Sequence, residues 1–292
     1  MTYFLSVLIA GITSGLIFGT FGFGLVFLYK TTGIANFGLG NIAAFEAFVV
    51  YEFYTHGIAL GYAVLIAVAL SIPFTLGIYF LVMRPKEETS SDTNMLIRTV
   101  ALYLGLFALM NTIWSSGQPY AFPSILPKGG VRIGNLGIPW ADFIIAGIAL
   151  SLYVGASLVF RYTNLGLKFL AMSDNFSTAR LMGLRVTRLS VIGWIFVGTI
   201  AMLVGLLVAP IQLLSSDMMD PLLLFGFASS VLGGLTSFSG AFAGGMIIGA
   251  ISDISTSYIG GSTTLASAFV VLLIVLSVRP SGLFGSGSLE RL

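Results

Sequence analysis

An ionisable side chain inside an apolar stretch is costly, and Glu46 in the run Asn41-Ile42-Ala43-Ala44-Phe45-Glu46-Ala47-Phe48 is such a residue. On insertion scales an Asp-like charge at a helix centre costs about 2.5–3.5 kcal/mol in lipid, so a polar cavity or partner is expected to face it. Glu52 and His56 stand four apart, as neighbours on one helix face do, and fit a polar contact at a segment end. The other acids offer no acid–base pair. Glu87, Glu88 and Asp92 fall in a polar loop, Asp217 and Asp253 near segment ends, and Asp220 before Pro221 reads as an N-cap with proline in the first turn. No GxxxxGK[ST], HExxH or GxSxG motif occurs. With no cysteine and a single histidine, thiol catalysis, disulfides, iron–sulfur clusters and multi-histidine metal sites are excluded. The expectation is a chain that is not an enzyme and carries neither metal nor cofactor.

Two short glycine-interrupted regions hold the remaining polar groups of interest. Residues 33–46 contain Asn36, Phe37, Gly38 and Asn41 ahead of Glu46; residues 226–249 contain Ser237, Phe238, Ser239 and Gly240. Paired broken segments in corresponding halves of a membrane chain point to a solute path, because unwound backbone persists at membrane depth only where protein buries it or a cavity borders it. The glycine ladders Gly11/Gly15/Gly19, Gly240/Gly244 and Gly245/Gly249 fit close helix packing instead. For Asn36-Phe37-Gly38 and Ser237-Phe238-Ser239-Gly240 the pattern leaves packing and path lining both open.

The elements that must position these residues are membrane-spanning helices. Hydrophobic residues make up 57% of the 292, and charged residues 8% against about 25% in a soluble domain, so the chain has no room for a sizeable soluble domain. Mean hydropathy is +1.02. The apolar residues come in blocks of spanning length, which lipid forces to be helical. These blocks are 3–29, 41–54, 61–83, 99–114, 141–160, 189–213, 221–235, 241–255 and 265–278. The expected fold is a single all-α polytopic membrane domain over 1–292 with about eight to nine transmembrane segments, two of them short and glycine-interrupted. The first block has no basic leader or cleavage site and reads as a helix that stays. Net charge +2 with no basic cluster argues against nucleic acid.

Charge orients the blocks. Residues 84–98 and 161–188 carry eight of the thirteen basic residues (Arg84, Lys86, Arg98, Arg161, Lys168, Arg180, Arg185, Arg188). Both are therefore expected on the cytoplasmic side, with 115–139 and the N-terminus outside. Within 161–188, Asp174 or Asn175 is placed to cap a short helix from Phe176 to Met182, and Gly183 to end it. An apolar face of Phe176, Ala179 and Met182 with Arg180 beside it suits docking into a partner's groove. It equally suits lying on anionic membrane lipid.

In these segments the sequence resembles the permease subunits of branched-chain amino acid ABC importers. The matching pieces are Gly33-Ile34-Ala35-Asn36-Phe37-Gly38, Met83-Arg84-Pro85, the 161–188 loop around Ala179-Arg180-Leu181-Met182-Gly183-Leu184, Gly233-Gly234-Leu235 through Gly245, and Arg279-Pro280-Ser281-Gly282-Leu283-Phe284-Gly285. They run in family order across nearly the whole chain. The resemblance implies a second permease subunit in a heterodimer, two cytoplasmic ATPase subunits that bind the ATP, and a solute-binding protein outside a prokaryotic cytoplasmic membrane. It also makes 161–188 the cytoplasmic coupling loop, with Asp174, Asn175, Phe176, Ala179, Arg180, Met182 and Gly183 as the ATPase contact, and this decides against the lipid-surface alternative. The chain departs from the family pattern in three places that bear on the solute. Leu39-Gly40-Asn41 stands where His-Gly-Glu is common, Glu46 where a small residue is usual, and Ser239 where proline is usual. The expected solute is a branched-chain or related amino acid, with a nucleoside, sugar or carboxylate as the alternative. A self-sufficient channel or secondary transporter is the rival class.

Overall fold

A computed structural model describes residues 2–32, 35–84, 92–114, 118–134, 136–174 and 176–285. Its described residues form eleven α-helices: α1 (Thr2–Thr32), α2 (Leu39–Thr55), α3 (Leu60–Ile78), α4 (Asp92–Ile113), α5 (Trp140–Tyr162), α6 (Asn164–Asp174), α7 (Phe176–Leu181), α8 (Val186–Gln212), α9 (Asp220–Gly233), α10 (Phe238–Tyr258) and α11 (Thr264–Val278). Among the described residues, seven helical segments are long and apolar enough to cross a membrane: Thr2–Thr31, Leu60–Met83, Thr93–Ile113, Trp140–Tyr162, Val186–Gln212, Phe238–Tyr258 and Gly261–Val278. The short Asp220–Gly233 is also apolar. Each block read from the sequence is a helix here. The largest shift is at α4, which starts at Asp92 rather than 99 because helix formers continue through Leu96-Ile97-Arg98. Arg98 turns its guanidinium to the Arg84 carbonyl at 3.3 Å.

One departure from an all-α chain lies in 115–139, expected as plain loop. Strands β1 (Gly130–Ile133) and β2 (Leu136–Pro139) pair antiparallel with Val131 opposite Ile138. At the end of α3 a π-helical turn, Tyr79–Met83, precedes Arg84, whose N–H reaches the Tyr79 carbonyl.

The chain divides into two compact units. Unit 1 holds residues 1–26, 126–158 and 224–292. Its core is an antiparallel seam between α1 and α10, which small residues allow to close until the backbones touch. A Cβ on Gly15 would lie 2.5 Å from the Gly245 carbonyl and 2.7 Å from Met246 Cα, and one on Gly11 2.7 Å from Ala250 Cα. The GxxxG ladders are packing devices, as their spacing predicts. Phe18 stacks on Phe225 of α9 at 4.5 Å, and the Ser230 hydroxyl donates to the Gly22 carbonyl at 3.0 Å. The Arg279–Gly285 stretch folds back on the end of α9, with Leu283 N–H to Leu232 O at 2.8 Å and Phe284 N–H to Gly233 O at 3.0 Å. Two motifs that the sequence showed as separate pieces thus form one clasp.

Unit 2 holds residues 27–125 and 159–223, with α2 at its centre among α3, α4 and α8. Phe45 stacks on Phe74 at 4.6 Å and Phe48 on Trp114 at 4.7 Å. The Trp114 indole donates to Glu52 Oε2 at 2.8 Å, while Glu52 Oε1 lies 3.5 Å from His56 Nδ1, giving the expected polar contact at a segment end. On the α8 side, a Cβ on Gly205 would sit 2.5 Å from the Ala43 carbonyl. Helix α2 is therefore held against α8 at near-contact distance, and Glu46 follows one turn after Ala43.

Candidate functional site: two helix starts at mid-span

Helix α2 begins far from the ends of its neighbour α4. Its N-cap is Gly38, and the Leu102 side chain packs directly on it, at 2.7 Å from where a Gly38 Cβ would be. Three residues on, Asn41 Nδ2 donates to the Tyr103 carbonyl at 2.8 Å. Leu102 and Tyr103 are the middle of the 22-residue α4. At 1.5 Å per residue, the start of α2 therefore lies about 15 Å from either end of a spanning helix, which is the depth of a bilayer midplane.

Helix α9 starts close by. Its first helical bond runs from Leu223 N–H to the Met219 carbonyl at 2.8 Å. Met219 is therefore the cap and Asp220 the first helical residue, so the helix starts one position earlier than the sequence reading placed it. The Tyr103 hydroxyl donates to Asp220 Oδ2 at 3.0 Å, and a Cβ on Gly40 would meet Met219 Cβ at 3.3 Å. The segment before α9 is tied on by Leu214, whose N–H and carbonyl both bond Tyr120 at 2.9 Å. There Leu213 takes φ +64°, a backbone region that side-chain-bearing residues rarely enter.

Polar groups in unit 2 are left partly unpaired. Asn36 is 3% exposed; its Oδ1 accepts from Gly38 N–H at 2.8 Å, which leaves its Nδ2 without an acceptor. Asn41, 1% exposed, uses its Nδ2 and leaves Oδ1 without a donor. Glu46 is buried at 3% exposure with neither carboxylate oxygen bonded, and the Thr75 hydroxyl, which lies over Gly198, is equally unpaired. Each such group forfeits about 1–3 kcal/mol unless something completes it. Of the six described residues with buried unpartnered polar atoms, five (these four and Trp194) lie in unit 2 and only Ser252 in unit 1.

The sequence-predicted path residues separate accordingly. Asn36, Phe37, Gly38, Asn41 and Glu46 all belong to unit 2, with Phe37 exposed at the break and the other four buried. Ser237, Phe238, Ser239 and Gly240 belong to unit 1 and have local structural roles. The Ser237 hydroxyl accepts from Gly240 N–H at 3.0 Å as the N-cap of α10, Ser239 lies 3.3 Å from it, and Phe238 packs edge-on to Phe23. Gly240 abuts Gly233. Tyr103 and Asp220 were missed as site residues. The only sequence signal was the Asp-Pro pair, which capping alone explained.

In 161–188 the helix stop is as read. Gly183 has φ +82°, with Gly183 N–H to Arg180 O at 3.0 Å and Leu184 N–H to Ala179 O at 3.1 Å, the paired bonds of a Schellman close. The expected contact face is corrected in one respect. Ala179 is 1% exposed and faces inward; the large apolar side chains presented outward are Leu181 at 87% and Met182 at 68%, beside an exposed Arg180. Asn175 lies outside the described residues, as do the side chains of Asp174 and Phe176.

Comparison with known proteins places the chain. The family described as branched-chain amino acid transport system / permease component matches residues 7–278. The probable branched-chain amino acid transport permease LivH of Methanocaldococcus jannaschii is 25% identical, over 90% of this chain and 86% of its own. The high-affinity branched-chain amino acid permeases LivH of Escherichia coli K12 and BraD of Pseudomonas aeruginosa are each 22% identical over 99% of this chain and 98% of theirs. In fold, the chain is similar to a chain of PsaBC from Streptococcus pneumoniae in complex with Fab, with a TM-score of 0.51 over 95% of this chain and 92% of that one, at 15% identity. A polytopic helical chain with a broken, polar mid-span and a match over 272 consecutive positions (7 to 278) belongs to the branched-chain amino acid transport permease family.

Proposed function

We propose that this permease subunit serves an ATP-driven, binding-protein-dependent importer of branched-chain or related amino acids in a prokaryotic cytoplasmic membrane. The observation that carries the reading is the start of α2: polar, non-helical chain at the midplane of a spanning helix, with buried amide groups left unpaired. In lipid such chain persists only where protein or a water-filled path completes it.

Nine crossings fit the charge pattern, two of them completed by non-helical chain ahead of α2 and α9. That count puts 84–98, 161–188 and the C-terminal stretch on the cytoplasmic side and the N-terminus outside. A second permease, as a heterodimer partner, supplies the other wall of the path. Two ATPase subunits bind the ATP, so this chain carries no cofactor, and a binding protein delivers solute from outside. The 161–188 loop couples the two sides through Leu181 and Met182, an apolar pair on a turn fixed by Gly183, which suits a groove on an ATPase subunit.

The test is reconstitution. Liposomes holding this chain with its partner permease and ATPases should accumulate leucine, isoleucine or valine only with ATP and binding protein together. Concentrative uptake by the chain alone on a proton or sodium gradient would overturn the reading. A second solute class has one observation in its favour: the xylose/arabinose import permease of Sulfolobus acidocaldarius is 29% identical over 62% of this chain. Pentose uptake in the same liposomes, without amino-acid uptake, would select it.

A further inference from the structure

We infer that the adjoining starts of α2 and α9 form a zwitterion subsite, where the amide donors at the head of α2 take the carboxylate of an α-amino acid and Asn41 Oδ1 with the Asp220 carboxylate take its ammonium group. The inference rests on the proposed amino-acid function and assigns residues to it.

The donor side is built by the break. A helix leaves its first N–H groups without intrahelical partners, and they point along the axis with the positive end of the dipole. At α2 the first helical bond runs from Ile42 N–H to Gly38 O at 3.1 Å, so the N–H groups of Leu39, Gly40 and Asn41 fall in that orphan set. Asn36 adds a side-chain donor. Its Oδ1 is fixed 2.8 Å from Gly38 N, so Nδ2, on the same planar amide, is held at the same helix head, buried and without an acceptor. One anionic group with two oxygens satisfies such a set.

The acceptor side adjoins it, where Gly40 meets Met219, and carries charge. Asn41 has its Nδ2 committed to Tyr103, which turns the unpaired Oδ1 the other way. Tyr103 links the two sides, taking Asn41 through its carbonyl and holding Asp220 through its hydroxyl at 3.0 Å. One orphaned donor and one orphaned acceptor, five positions apart, flank one helix head next to a carboxylate at membrane depth. A sugar or nucleoside needs no such charge, and a simple carboxylate leaves Asp220 uncompensated, whereas a zwitterion completes both halves.

Two variants separate recognition from folding. Asn36→Asp keeps the oxygen that bonds Gly38 N–H and serves a turn as well as asparagine does, but it removes the spare donor and places a negative charge there. Asp220→Asn keeps an acceptor for Tyr103 and removes the charge. The purified membrane complex of both permeases and both ATPases, without binding protein, is probed with radiolabelled leucine against leucinamide, which lacks the carboxylate, and 4-methylpentanoate, which lacks the ammonium. Wild type should bind leucine at least tenfold more tightly than either analogue. Asn36→Asp should lose leucine binding tenfold or more with unchanged thermal stability. Asp220→Asn should bring leucine down to the level of 4-methylpentanoate. If either soluble, folded variant binds leucine like wild type, or wild type prefers an analogue or binds no leucine, the subsite is wrong. Uptake by the complete transporter is measured alongside. Leucine uptake with those binding results sinks this inference alone, and uptake of only a non-zwitterionic solute sinks the functional reading as well.

Discussion

Two glycine-rich regions, one in each unit, use the same residue type for opposite ends. Where α1 meets α9 and α10 in unit 1, glycines bring backbones into contact and the hydroxyls of Ser230 and Ser14 are spoken for: Ser230 of α9 bonds Gly22 and Gly226, and Ser14 bonds Asp253 at 3.1 Å, while Ser252 of α10 is the one buried hydroxyl of this unit left unpaired among the described residues. At the head of α2 in unit 2, Gly38 and Gly40 lie against Leu102 and Met219, and Asn36 and Asn41 on either side of them in the chain each keep a buried polar atom without a partner. The first region is dry and closed, and its free energy comes from dispersion contacts at short range. The second carries unpaired groups that cost stability and that a chain under selection only for folding would shed. Composition does not distinguish the two regions; hydrogen-bond satisfaction does.

The sharpest way to break this contrast is Gly15→Val. Its Cβ would overlap the Gly245 carbonyl, and overpacking a closed seam costs about 1–3 kcal/mol or more, with backbone on both sides unable to yield. We expect little folded protein by size-exclusion of detergent extracts; a well-folded variant would show that the seam is loose. Next is the coupling loop, a region outside both. Truncating Leu181 and Met182 together to alanine should weaken co-purification of the ATPase subunits by about 2 kcal/mol, roughly thirtyfold, because buried apolar anchors dominate such contacts. Arg188→Ala, an exposed charge, should change it little. The opposite ranking would move the docking surface elsewhere.

Two smaller effects sharpen the comparison directly. Glu46→Gln should reduce transport several-fold while leaving the melting temperature within a few degrees. Glu46→Leu should raise stability, since removing a buried polar group that lacks a partner recovers about 1–3 kcal/mol. Normal transport by both variants would make Glu46 incidental. Ser230→Ala is the mirror case in unit 1. Losing two satisfied bonds should cost about 1 kcal/mol of stability, read by thermal unfolding, with transport per complex unchanged. A transport defect there would place function in the dry seam as well.

Much of the fold was legible because lipid leaves few choices. Apolar blocks of spanning length become helices wherever they occur, so every segment from 3–29 to 265–278 appeared, within a few residues of its limits except at the start of α4. Gly183 was legible for a local reason, since a helix stop needs a left-handed residue and the chain supplies glycine there. The Leu181–Met182 face was half legible. Six residues of helix are too few to show which side is buried, and Ala179 went inward against its neighbours α6 and α8.

That this is a many-spanning helical chain, which stretches are broken, and which residues are too polar for lipid can all be read from the order of its amino acids. Each follows from a property of one segment in one solvent. It took the folded arrangement to spend Ser237 on capping α10 while Asn36 and Asn41 keep unpaired atoms, and to join Asn41 to Asp220 through Tyr103 across 62 and 117 positions of chain. A hydrogen bond depends on where both partners end up. Residues far apart in sequence meet only through helix packing, and no local pattern records that meeting.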